Sequence, residues 1–261
     1  MKVSIITINF NNAAGLRRTV QSVVTQTCHD FEYVIIDGGS NDGSVDVIDE
    51  IPKTINLKWV SERDRGLYDA MNKGIDRSSG EYCIFMNSGD EFYDASVLEK
   101  VMPYLQSKVG VVSGIGGKET IPGFPVAEQQ LNLTFFLKDS LNHQSAFVRR
   151  DILSRLHFSE AYKIVSDTEL FFRALILDNE SYEAIPIRVC KCEAPGASGD
   201  LKKSLEERYA AIKKLLPPRM VYDVDFIVRY HNPVVLWIGK ILYNNFFRKM
   251  YRSIKNVKGH R

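Results

Sequence analysis

The 261 residues carry 44% hydrophobic and 25% charged side chains, enough to bury one large core with or without an appendage. This composition is that of a soluble globular chain, and four scattered cysteines are too few for a disulfide framework. The net charge of +2 hides an asymmetry, because no Asp or Glu follows Phe226 while Arg229, Lys240, Arg248, Lys249, Arg252, Lys255, Lys258 and Arg261 do. No apolar run reaches the roughly 18–20 residues of a membrane span, and the N-terminus enters a strand at once, so a secretory leader is not expected. Cys190-Lys-Cys192 has the wrong spacing for a zinc or redox pair, so a reducing, cytoplasmic setting is expected.

In chain order, the β-branched run Val3–Ile8 predicts a strand that ends in Asn9-Phe10-Asn11-Asn12, where Asn11 or Asn12 can cap a helix bearing Leu16, Val20, Val23 and Val24. Phe31–Ile36 is a second strand, running into Asp37-Gly38-Gly39-Ser40-Asn41-Asp42-Gly43-Ser44 and a helix from Val45 to Glu50. Leu57–Val60 is a third strand, followed by Ser61–Gly66 and a helix over Tyr68–Ile75. Cys83-Ile84-Phe85-Met86 reads as a strand buried on both faces, leading into the oxygen-rich turn Asn87-Ser88-Gly89-Asp90. Alternating strands and helices predict an α/β fold with a mainly parallel sheet and helices on both faces. Three strands then end on one rim in oxygen-bearing loops, the edge where such sheets bind ligands.

Downstream, the pattern predicts a helix over Asp94–Gln106, a strand at Val109–Val112 and a loop from Gly114 to Gln130. A strand over His143–Val148 and a helix over Arg150–Leu156 follow. Ser166-Asp167-Thr168-Glu169 has the form of a capping box, and Ala184–Cys192 of a last strand closed by the breaker Pro195–Gly199. From Leu201 the chain reads as helical, with breaks at Pro217-Pro218 and Pro233. Residues 1–200 are expected to form a catalytic domain and 201–261 a basic helical extension.

The stretches Val3–Asn11, Phe31–Ser44, Gly66–Ile75, Gly80–Asp90, His143–Arg150 and Asp167–Arg173 together resemble the family 2 inverting glycosyltransferases of GT-A fold, in that family's order and spacing. The resemblance is to members that build bacterial surface polysaccharides. It implies that Phe10 stacks on a nucleotide base with Asn11 beside it, and that Asp37 bonds the base edge. It places Asp64, Gly66 and Asn72 at the base and ribose pocket, and Ser88 and Asp90 on the metal-binding acidic motif. Asp90 would reach an Mg²⁺ or Mn²⁺ ion that bridges the donor diphosphate, and Asp167 would be the general base. His143 and Gln144 fall near the acceptor or the phosphates, and Gly196-Ala197-Ser198 on a turn that closes over the diphosphate. The motif departs from the family where Asn87 and Gly89 replace acids, where Met71 replaces an Arg for which Lys73 could substitute, and where Ser166 replaces a Glu.

The residues themselves leave structural roles open. Asp37 can hold the Gly38-Gly39 turn, Asp42 can cap a helix, and Asp167 can favour the positive end of a helix. The reaction expected is transfer from a nucleotide-diphosphate sugar, with UDP the first guess, to a glycan or lipid-linked acceptor. The alternatives are a sugar-nucleotide nucleotidyltransferase, whose glycine-rich phosphate loop is missing after the first strand, and a binding module without catalysis. After Pro233, apolar and aromatic residues interleave with basic ones, which suits an anionic surface on the inner face of the plasma membrane. The same pattern also suits packing on the catalytic domain or on a second subunit, as in a homo-oligomer. No groove-fitting motif points to nucleic acid.

Overall fold

A computed structural model describes residues 1–116, 131–192 and 201–230. The chain divides into two compact units, Met1–Ile212 and Lys213–Arg261. The first unit is built on β1 (Val3–Asn9), α1 (Ala13–Val24), β2 (Phe31–Asp37), α2 (Ser44–Asp49), β3 (Leu57–Ser61), α3 (Leu67–Arg77) and β4 (Tyr82–Phe85). There follow β5 (Glu91–Phe92), α4 (Val97–Val101), β6 (Val111–Ile115), α5 (Leu133–Lys138), β7 (Ala146–Arg149), α6 (Arg150–Leu156), α7 (Ser166–Phe172), β8 (Tyr182–Arg188) and β9 (Cys190–Lys191). Two helices complete the described chain, α8 (Leu201–Leu215) and α9 (Pro218–Tyr230), and they break at Pro217-Pro218 as expected. In the second unit, Lys213 pairs with Asp225 at 2.9 Å.

Seven strands form one sheet in the order β3-β2-β1-β4-β7-β6-β8, and β5 pairs with β9 in a small antiparallel ribbon. Every contact is parallel except those of β7, which runs against β4 and β6. β1 and β2 are buried at every position, which accounts for their continuous rather than alternating apolar runs. Alternate residues serve opposite faces. Val3, Ile5, Tyr33 and Ile35 pack with Leu16, Val20, Val47 and Leu98 of α1, α2 and α4. On the other face, Ile6 and Ile36 approach α3 so closely that a Cβ on Gly74 would lie 2.4 Å from Ile6 Cγ2. Burial of each large side chain contributes about 1.5–3 kcal/mol, so this two-sided core fixes the strands whose C-terminal ends carry the functional loops.

Several elements differ from expectation. His143–Ser145 is a 3₁₀ turn and only Ala146–Arg149 is strand, because the Asn142 side chain accepts from the Gln144 amide and turns the backbone. The helix expected over Asp94–Gln106 shortens to α4 and a 3₁₀ turn at Met102–Tyr104, where Pro103 has no amide to continue it. Gly114 and Ile115 belong to β6 rather than a loop; a Cβ on Gly114 would come within 2.6 Å of Ile187 O, so the glycine permits close strand approach. The last strand is split at Val189, whose amide bonds Ile115 O while its carbonyl accepts from Tyr93 N, carrying the chain from the large sheet to the ribbon. Ser166 does not cap α7: Val165 holds that position and the Ser166 amide donates to Tyr68 Oη. The expected breaker at Pro195–Gly199, the Gly196-Ala197-Ser198 turn and everything after Tyr230 lie outside the described residues, as does 117–130 of the expected loop.

Candidate active site

The parallel strands β1, β2 and β4 deliver their loops to one edge. Asp37, at the end of β2, is fully buried. Its Oδ1 accepts from Asn9 Nδ2 and Ser40 Oγ, and its Oδ2 from the amides of Gly39 and Ser40 and from Ser61 Oγ. Burial pushes this carboxyl up, but those bonds outweigh it and hold it below the usual carboxylate range. Asp37 therefore knots β1, β2 and β3 together beneath the Gly38-Gly39 turn. Above the knot lies a cleft of about 550 Å³ lined by Phe10, Gly38, Gly39, Arg63, Asp64 and Gly66. Phe10 is 64% exposed, an unusual setting for a phenyl ring and one that leaves its face open to a planar ligand. Asp64 reaches into the space a side chain at 38 would fill: a Cβ there would meet Asp64 Oδ2 at 2.6 Å.

The neighbouring residues hold this frame. Asn11 adopts φ 47° and its side chain accepts from Asn41 N, while Asp42 accepts from Ala13 N and Ser44 N, serving the first turns of two helices. Asn72 uses both ends of its amide on the Phe158 backbone, and Lys73 Nζ contacts Arg63 O and Glu62. Neither lines the cleft, whereas Arg63, which the sequence did not single out, does.

The loop between β1 and α1 connects the cleft to the acidic turn, since Asn12 Nδ2 donates to Ser88 O. Gly89 has φ +105°, and Asp90 N bonds Asn87 O, so Asn87–Asp90 is a tight turn that needs glycine at its third position. Thr19 of α1 clamps it, donating to Asp90 O and accepting from Gly89 N. Asp90 is 5% exposed and its Oδ2 accepts from Gln144 Nε2 at 3.1 Å. Two further oxygens of the turn, Asn87 Oδ1 and Ser88 Oγ, are buried without a hydrogen-bond partner among the described residues. No cluster of three His, Cys, Asp or Glu side chains that could hold a metal occurs among the described residues. One carboxylate beside unpartnered neutral oxygens nevertheless fits a hard cation whose other ligands are phosphate and water.

The residue next to Gln144 leads to Asp167. His143 Nδ1 lies 3.0 Å from Asp167 Oδ2, and its Nε2 lies 3.4 Å from Asn87 Nδ2. Burial pulls the imidazole pKa down, but the hydrogen bond and charge of Asp167, with the charge of Asp90, raise it above its ordinary value. Adjacent residues Gln144 and His143 thus reach Asp90 and Asp167 respectively, and His143 also meets the turn at Asn87. Asp167 is the second residue of α7, and Thr168 N donates to its Oδ1. The preceding loop is fixed from two sides: Tyr68 Oη donates to Ile164 O, and the Glu207 carboxylate of α8 accepts from the amides of Lys163 and Ile164.

Two residues near this group escaped the sequence reading. Tyr68 and Glu207 position the Asp167 loop, although nothing in their spacing advertises it. Cys192 lies 3.7 Å from Cys190 through sulfur, and that contact draws its thiol down to about 7.

The mannosyltransferase PcManGT from Pyrobaculum calidifontis, solved with GDP-Man and Mn²⁺, superposes with a TM-score of 0.67 at 18% identity, over 90% of this chain and 72% of that one. S. aureus TarS 1–349 with UDP-GlcNAc gives 0.66 at 18% identity, over 82% and 65%; this chain spans 38% of a longer TarS chain. The architecture is the GT-A fold. The model of "Glycosyl transferase family 2" matches residues 4–156, and the chain belongs to that family. An uncharacterized glycosyltransferase of Mycobacterium tuberculosis is 33% identical over 199 residues, covering 73% of this chain and 74% of the relative. A PGL/p-HBAD biosynthesis glycosyltransferase of Mycobacterium bovis is 30% identical, covering 65% and 68%. No helix among the described residues is long and apolar enough to cross a membrane.

Proposed function

We propose that this chain is an inverting, divalent-cation-dependent enzyme that transfers a sugar from a nucleoside-diphosphate donor, UDP-linked in the first instance, to a glycan or lipid-linked acceptor of surface polysaccharide or glycolipid synthesis. The observation that carries the reading is the pairing of Asp90 with Gln144 and of His143 with Asp167, which links a cation-compatible turn through adjacent residues to a carboxylate suited to proton abstraction. The Phe10–Asp64 cleft takes the base, with Phe10 stacking on its face and Asp64, rather than the internally satisfied Asp37, meeting its edge. Asp90, with Asn87 and Ser88, would hold Mg²⁺ or Mn²⁺. Such an ion supplies charge neutralisation for the departing diphosphate.

Asp167 removes the acceptor hydroxyl's proton as that oxygen attacks the anomeric carbon on the face opposite the leaving group, which gives inversion. Its Oδ1 is fixed by the Thr168 amide and its Oδ2 by His143, so the carboxylate is oriented before substrate arrives. His143, with a raised pKa, stabilises the anionic form of the base. The remaining basic, aromatic extension serves as a peripheral contact with anionic lipid. Asp167→Asn tests the core of the proposal. Donor affinity should change less than about twofold while turnover falls on the order of 10²–10⁴-fold, the usual contribution of a general base; retained turnover removes Asp167 from that role.

A further inference from the structure

The inner face of α8 runs through Ser204, Arg208, Ala211 and Ile212, the i, i+4, i+7, i+8 stripe of a helix laid on a core. Ser204 is 5% exposed, and Ala211 and Ile212 are fully buried. Arg208 is the one cation on that stripe. Arg208 is partly buried, and a guanidinium drawn out of water is ordinarily paired with a carboxylate or carbonyl, because leaving the charge unpaired is costly. Here its Nε is shut off from solvent without a hydrogen-bond partner, and Arg208 makes no ion pair or hydrogen bond among the described residues. Burial presses its pKa below the usual value, opposed only by the charges of Asp139 and Asp167. The position is not loose, since Glu207, the preceding residue, is tied to the amides of Lys163 and Ile164 just ahead of Asp167.

The charges that reach Arg208 also give it a side. They are Asp139 and Asp167, and the bonds from the Lys163 and Ile164 amides to Glu207 hold this turn of α8 against the loop that leads into Asp167. An arginine fork matches the two oxygens of a phosphate or carboxylate. We infer that Arg208 is a specificity-determining residue that recognises an oxyanion on the acceptor, next to the hydroxyl that Asp167 deprotonates. The inference rests on the transfer reaction proposed above and adds the acceptor's chemical class: a phosphorylated or acidic sugar or headgroup rather than a neutral one.

The test uses the full chain as wild type, Arg208→Gln and Arg208→Lys. Glycerol 3-phosphate, glucuronate and glucose are titrated by ligand-observed NMR, and UDP with Mn²⁺ by calorimetry. The expected result is that glycerol 3-phosphate or glucuronate binds wild type and loses at least about tenfold in affinity in Arg208→Gln, as for a lost charge-assisted contact, with partial recovery in Arg208→Lys. Glucose and UDP should bind all three proteins alike. If the oxyanions bind Arg208→Gln as they bind wild type, or bind neither, Arg208 is only a packed arginine and the inference fails. It also fails if UDP affinity drops instead, which would place the guanidinium on the donor. Absence of UDP binding to wild type, with the oxyanion difference intact, would strike the transfer reaction itself, and the acceptor assignment with it.

Discussion

Asp37→Asn separates a residue that builds the nucleotide cleft from one that touches nucleotide. The wild-type carboxylate accepts five hydrogen bonds, two on Oδ1 and three on Oδ2. An amide keeps one acceptor oxygen and turns the other into a donor. With its oxygen toward the Gly39 and Ser40 amides, the new amide nitrogen faces Asn9, whose Oδ1 is buried without a partner among the described residues and can rotate to accept. The damage is therefore confined to lost charge assistance and about one unsatisfied group, roughly 2–3 kcal/mol in all. For a unit of this size that is a fall in Tm of about 4–12 °C. Because burial is outweighed and the folded pKa is lowered, the carboxylate's stabilisation is present above the unfolded pKa near ~4 and lost as pH falls through the folded value. The Tm gap between wild type and variant should accordingly be constant around neutrality and close in acid. Thermal melts from pH 7 to 3, with UDP calorimetry at pH 7, measure both consequences. A variant with unchanged Tm and weakened UDP binding would refute the scaffold role and restore Asp37 as a direct contact.

Gly38→Ala should push Asp64 out of the cleft, since the new methyl would lie 2.6 Å from its carboxylate, and weaken nucleotide binding by roughly tenfold, one charged hydrogen bond's worth; calorimetry that finds unchanged affinity would remove Asp64 from the base edge. The His143 imidazole should titrate above its ordinary value in wild type, and Asp167→Asn should lower that pKa as the leading opposing interaction to burial loses its charge. Because the folded pKa is raised, the stabilisation from this pair is full below about pH 6.5 and is lost as pH rises through the folded value. NMR titration of the imidazole decides this, and an unmoved pKa in the variant would show that the two groups are not coupled.

The sheet was legible because its central strands are buried on both faces, so Val3–Ile8, Phe31–Ile36 and Cys83–Met86 appear as unbroken apolar runs. A cap at Asn11 or Asn12 was legible from local chemistry, and it is Asn12 whose side chain accepts from the Gly15 amide. The site was legible as motifs but not as geometry. Sequence places Asp37 at a strand end and cannot show that Ser61, 24 residues away, closes over it. It reads His143-Gln144 as alternating strand, because the turn that sends one side chain to Asp167 and the next to Asp90 depends on a bond from the Gln144 amide to the Asn142 side chain. Arg208 is harder still. On the stripe it shares, only Ala211 and Ile212 are apolar, so a partly buried arginine there looks like an ordinary solvated charge until the neighbouring loop is in place.

A one-carboxylate turn should grip a cation only together with a nucleotide's phosphates. The direct measurement is calorimetric titration of UDP, GDP, dTDP and CMP with and without Mn²⁺, on wild type and Asp90→Asn. The account predicts that one nucleoside diphosphate binds wild type about tenfold or more tightly with Mn²⁺, that Asp90→Asn loses this gain, and that Mn²⁺ alone binds weakly. Equal affinity with and without Mn²⁺, or a gain that survives Asp90→Asn, would contradict it.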